Sequence, residues 1–142
     1  MKYILLILLC IFPQFVCAQA LTYDQWVLAG MNNARVSAGV EALSENRKLN
    51  AIASYKAMDM YVHNYFSHPS LSGHMTWDYY LAFGYDFTAA GENLARGYTD
   101  PITLVNAYMS SPGHRENILN PVYTEVGIAS FGPYEAVEFG RQ

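Results

Sequence analysis

The chain divides by the period of its apolar positions. Its first half repeats at helical spacing and its last twenty residues alternate as strands do. Thr22 stands where a helix cap is needed, Gln25 can reach back to it, and Leu21 can pack on Trp26 as a staple. This predicts a helix from Thr22 to about Ser37, ended by Gly39. Leu49, Ile52, Ala53, Ala57, Met60 and Tyr61 form the apolar stripe of a second helix, with Arg47, Lys48, Lys56 and Asp59 set off it, and the helix ends near His63-Asn64. A short helix is expected at Thr76–Phe83, closed by Gly84. A fourth starts at Asp100-Pro101, a capping residue followed by a proline in the first turn, and stops at Pro112-Gly113. Arg115 to Leu119 follows as a short helix of its own. Glu125–Phe131 and Glu135–Phe139 read as strands around Gly132-Pro133, and Leu94-Ala95 as part of another. Helices first and strands late give an α+β domain.

The N-terminus has a different pattern. Met1-Lys2 is followed by an uncharged apolar run from Tyr3 to Phe12, then Pro13-Gln14, then the small residues Ala18 and Ala20. That order is the order of a secretory signal. Residues 1–20 are therefore read as a signal peptide cleaved after Ala18 or Ala20, and 21–142 as a single domain. The run is about half as long as a bilayer-spanning helix needs to be, so no stable membrane anchor is expected after cleavage. Both cysteines, Cys10 and Cys17, fall in this segment, so the exported domain is expected to hold together without disulfides. Losing Lys2 takes the formal net charge from −4 to about −5, and no basic patch offers itself to phosphates. Nucleic acid is not an expected partner.

Three segments are polar where packing gives no reason for it: Tyr65-Phe66-Ser67-His68-Pro69, Gly91-Glu92-Asn93-Leu94-Ala95-Arg96-Gly97, and Ser110 to Pro121. In this order, with Tyr123-Thr124-Glu125-Val126-Gly127-Ile128 downstream, they resemble the CAP superfamily of cysteine-rich secretory, antigen 5 and pathogenesis-related 1 proteins. The bacterial branch carries a similar Phe-Ser-His, Gly-Glu-Asn and Ser-Pro-Gly-His-Arg-x-Asn series. The resemblance covers roughly Tyr23 to Gly140 and implies a three-layer α/β/α sandwich with His68, Glu92 and His114 in one cleft. Asn93, Ser111, Glu116 and Asn117 are its supporting candidates. Eukaryotic relatives place a second glutamate three residues after a tryptophan. Here Tyr108 and Ser111 occupy those positions, so either Ser111 or Glu116 stands in for that group.

Two imidazoles can hold Zn²⁺ or another divalent metal, with Glu92 as ligand or proton acceptor. Without metal, Glu92 can fix the tautomer of one histidine while the other exchanges protons. Ser67, Ser70, Ser110 and Ser111 are the nearby hydroxyls, and no Gly-x-Ser-x-Gly turn singles one out. Three roles follow: binding an unknown extracellular or envelope ligand, hydrolysing a peptide or cell-wall substrate, or carrying a lipid or sterol as the resemblance implies for some eukaryotic members. His63 is read as a helix-end residue and His74 as a solvated loop residue.

Overall fold

The computed structural model describes residues 20–142. The signal-peptide reading and both cysteines lie outside them, apart from Ala20. The elements run α1 (Tyr23–Ser37), β1 (Ser44–Glu45), α2 (Arg47–Val62), α3 (Thr76–Ala82), β2 (Ala89–Arg96), α4 (Pro101–Ser110), α5 (Pro112–Leu119), β3 (Glu125–Phe131) and β4 (Tyr134–Arg141). One four-stranded sheet has the order β1-β3-β4-β2, with β1 parallel to β3 and the other pairs antiparallel.

Helices cover both faces of this sheet. Val126, Ile128, Val137 and Phe139 point to one side and pack with Val27, Met31, Leu104 and Ile118 from α1, α4 and α5. Leu94, Ala129, Tyr134 and Ala136 point to the other side and meet Ala53, Ala57 and Met60 of α2. This is the expected three-layer α/β/α sandwich. Its two central strands, β3 and β4, therefore have no wet face, and β4 is buried from Tyr134 to Gly140. The α2 side of the sheet has small residues at Gly127, Ala129 and Ala136, which lets the helix come close. At Gly127 the α2 backbone rests directly on the strand. There β1 is too short to pair all of β3, and the Asn50 side chain accepts from the Ile128 N–H at 3.0 Å instead.

The helix starts follow their caps. Thr22 and Gln25 form the reciprocal capping box at α1, and Asp100 accepts from the Thr103 N–H at the start of α4. Gly39 and Gly84 close their helices with φ of +76° and +70°. Several details differ from the sequence reading. α5 begins at Pro112 rather than after a break, because proline at the first helical position has no N–H to lose. β2 is eight residues long and β1 is an additional short strand. Lys56 lies inside the α2 stripe and is 1% exposed, whereas Tyr61 is half exposed.

Arg35 of α1 is also buried, and its guanidinium does the work of a small strut. It donates to the carbonyls of Glu41, Ile118, Asn120 and Tyr123 at 2.7–3.0 Å. Two of those carbonyls lie at the end of α5, so Arg35 holds in place the helix that carries His114.

Candidate functional site

Successive residues of β2 serve opposite faces of the sheet. Glu92 points toward α2 and Asn93 toward α5, next to Leu94 and Ala95 in the two corresponding cores. His68 reaches Glu92 from the loop after α2. Lys56 fixes that loop by donating from Nζ to the carbonyls of Ser67 and His68 at 2.8 and 2.6 Å. The His68 Nδ1 and Glu92 Oε1 are 2.6 Å apart, with the glutamate carboxylate buried and the imidazole about half exposed. With Glu92 accepting the Nδ1 hydrogen, Nε2 is the ring nitrogen left over for another partner, on an imidazole that is about half exposed. The bond to Glu92 raises the His68 pKa, against burial and the charge of Lys56, which lower it.

His114 sits in the first turn of α5. Its ring meets Tyr108 edge-on at 5.1 Å between centroids. Its carbonyl accepts from Asn93 Nδ2 at 3.0 Å. Asn117 Nδ2 completes the lock, donating to the Glu92 carbonyl at 3.1 Å and to Asn93 Oδ1 at 2.8 Å. The two asparagines thus bolt α5 to β2 beside the glutamate. Burial lowers the His114 pKa, and the charge of His68 lowers it further. By linkage, the His68 contact stabilises the fold fully below the ordinary histidine value and fades as pH rises through the raised one. His114 works in the opposite sense and costs stability as pH falls below the ordinary value.

The other polar candidates are placed as follows. Ser111 caps α5 by position but makes no capping bond. It lines, with His114, a groove of about 320 Å³ walled by Phe66, Leu94, Tyr98, Leu104 and Tyr108. Glu116 is exposed on α5, and its charge is felt at Tyr123. Ser67 donates to the Pro69 carbonyl, Ser110 to that of Asn106, and Ser70 pairs with Ser72. None of these three serines pairs with an imidazole. His63 Nδ1 faces Asp59 at 2.8 Å at the end of α2, and His74 stands in its loop 3.7 Å from Asp78.

A residue absent from the sequence reading stands behind Glu92. Glu138 of β4 is its direct cross-strand partner, on the same face of the sheet, and is fully buried. The cue available in sequence was a charge inside a short strand, which is ordinary when one face is wet. For a metal, the donor set is two imidazoles. Glu92, the expected third donor, is engaged with His68 and backed by Glu138, and among the described residues no three of His, Cys, Asp and Glu gather as metal ligands.

Among the described residues no helix is long and apolar enough to cross a membrane. Comparison with known proteins agrees with the geometry. The uncharacterized protein YkwD of Bacillus subtilis is 38% identical over 106 residues, covering 75% of this chain and 41% of YkwD. The uncharacterized membrane protein YlbC of the same organism is 32% identical over 118 residues, covering 83% and 34%. The chain thus spans about two fifths or less of these relatives. An extracellular protein of Bacillus anthracis containing an SCP domain superposes with a TM-score of 0.81 at 27% identity, over 84% of this chain and 40% of that one. An outer surface protein of Borrelia burgdorferi shares the fold at a TM-score of 0.75 and 21% identity, over 82% of this chain and 90% of its own. The cysteine-rich secretory protein family (CAP) matches residues 28–132, and the chain belongs to that family.

Proposed function

We propose that the chain works outside the cytoplasm, secreted or held at the surface, as a CAP domain that binds a ligand in the His68–His114 cleft. The Bacillus anthracis neighbour described as extracellular supports the location. The 2.6 Å contact between His68 and Glu92 carries the rest. A buried carboxylate orients an imidazole that remains open to solvent, and an apolar groove runs up to the second imidazole. A few placed polar groups beside an apolar wall are what a small-ligand site requires. The ligand is expected to offer a hydrogen-bonding group to the imidazoles and an apolar or ring-shaped part to Phe66, Tyr98 and Tyr108.

Soluble peptidoglycan fragments, titrated into the protein while the histidine ring resonances are followed, test this reading. The expected result is saturable binding that shifts His68 and His114, weakened about tenfold in His68→Ala or His114→Ala. Binding that leaves both rings unmoved, or survives both substitutions, contradicts it.

The electrostatics of the two imidazoles favour a second reading. The raised His68 and lowered His114 are driven apart, as an acid and a base sharing one reaction are. On that reading the fragments are recovered cleaved, and Glu92→Gln stops cleavage while the fold is kept.

A further inference from the structure

The two carboxyls behind His68 have an accounting problem. Glu92 and Glu138 are direct partners in the β2–β4 ladder, and helix α2 covers both. Each has one oxygen engaged. Glu92 Oε1 takes the His68 Nδ1–H, and Glu138 Oε2 lies 3.2 Å from the Tyr80 hydroxyl. The other two oxygens, Glu92 Oε2 and Glu138 Oε1, are buried and have no donor among the described residues. Like charges directly across a ladder repel, and a buried carboxylate oxygen with no donor is costly. One proton between them removes both problems.

Among the described residues facing the pair, Lys56 is the cation besides the His68 ring. From α2 comes Lys56, whose Nζ is already donating to the Ser67 and His68 carbonyls. From α3 comes Tyr80, whose one hydroxyl hydrogen has three acceptors in reach, the nearest being the Phe139 carbonyl at 2.8 Å. From β3 the facing residue is Gly127, which has no side chain. Burial pushes Glu138 well above the usual carboxylate range, and the neighbouring Glu92 adds to the effect.

We propose that Glu138 is the second carboxyl of this site, a positioning residue that keeps its proton at neutral pH and donates it in a hydrogen bond to Glu92. The pair then carries one negative charge, held on Glu92 and turned toward His68. The bond fixes the Glu92 carboxylate and draws part of its charge away from the imidazole. Neither Ser111 nor Glu116 is needed to complete the site. The proposal rests on His68 being the imidazole that meets the ligand, but its test uses no ligand, so the two readings can fail separately.

The test combines infrared spectroscopy of the protein with a histidine NMR titration. Glu135 is itself held up to about 8 and gives its own carboxylic-acid band. The infrared comparison is therefore made in a Glu135→Gln background. At neutral pH the carbonyl stretch of a protonated carboxyl is expected, and Glu138→Gln should remove it. The glutamine amide still donates to Glu92, so the His68 midpoint should stay in place. Glu138→Leu removes the donor, and the His68 midpoint should rise by roughly half a unit to one unit. Absence of the band before Glu138 is changed, or its survival in Glu138→Gln, overturns the proposal. So does a His68 midpoint that ignores Glu138→Leu or moves equally in both variants. If the leucine variant does not fold, the band and the glutamine variant decide alone.

Discussion

Gly127→Ala is expected to destabilise the fold by about 4 kcal/mol or more, a large part of the stability of an ordinary domain. A Cβ at this position would lie 2.0 Å from the Leu49 carbonyl carbon, 2.2 Å from the Asn50 nitrogen and 2.3 Å from the Leu49 oxygen. All three are backbone atoms of α2, so no rotamer change relieves the clash. The start of the helix must lift from β3, breaking the Asn50–Ile128 bond and uncovering Leu49. Lys56 moves with the helix, and with it the loop that carries His68. Gly113→Ala in α5 is the matched control, since a Cβ there meets nothing within 4 Å. It should be neutral or slightly stabilising. Denaturant unfolding of the two variants measures the difference. A Gly127→Ala protein within about 1 kcal/mol of the wild type would mean that α2 does not rest on the sheet as described.

Arg35→Met should cost about 3–5 kcal/mol. Methionine fills much of the arginine stem's volume but leaves the carbonyls of Glu41, Ile118, Asn120 and Tyr123 without their donor. Arg35→Lys should recover only part of the loss, because an ammonium cannot reproduce the planar fork. The damage should also be directional. Ile118 and Asn120 lie at the end of α5, so amide hydrogen exchange is expected to quicken in α5 before it does in α2. Equal protection of α5 in wild type and Arg35→Met would show that the arginine is not what holds the helix.

What could be read in the sequence was what local chemistry decides. Thr22 with Gln25 and Asp100 with Pro101 mark helix starts through hydrogen bonds made within one turn. The order of the motif segments pointed to the family and to His68, Glu92 and His114. The structure brings the first two into direct contact and holds the third on α5, its carbonyl bonded to Asn93, the neighbour of Glu92 in β2. What escaped depends on partners distant in sequence. Lys56 occupies the same stripe as Ile52, Ala53 and Met60, but its charge argued for the outer face. Only the carbonyls of a loop eleven and twelve residues onward explain its burial. Glu138 escaped because a polar residue in a strand is expected to face water, and here both faces of β4 are covered. Pro112-Gly113 looked like a stop because the same proline that ends one helix can open the next. β1 is two residues long, too short to show a period.

The proposed ligand site requires His68, Glu92 and His114 to be electrostatically coupled. The most direct test is a pH titration of the histidine rings by NMR, in the wild type and in Glu92→Gln. In the wild type His68 is expected to titrate above the ordinary histidine value of 6.5 and His114 below it. In Glu92→Gln the His68 midpoint should fall, and the His114 midpoint should rise in response as the facing charge is lost. Two histidines that titrate at the ordinary value and ignore the loss of the Glu92 charge would mean that the three residues do not form one coupled site.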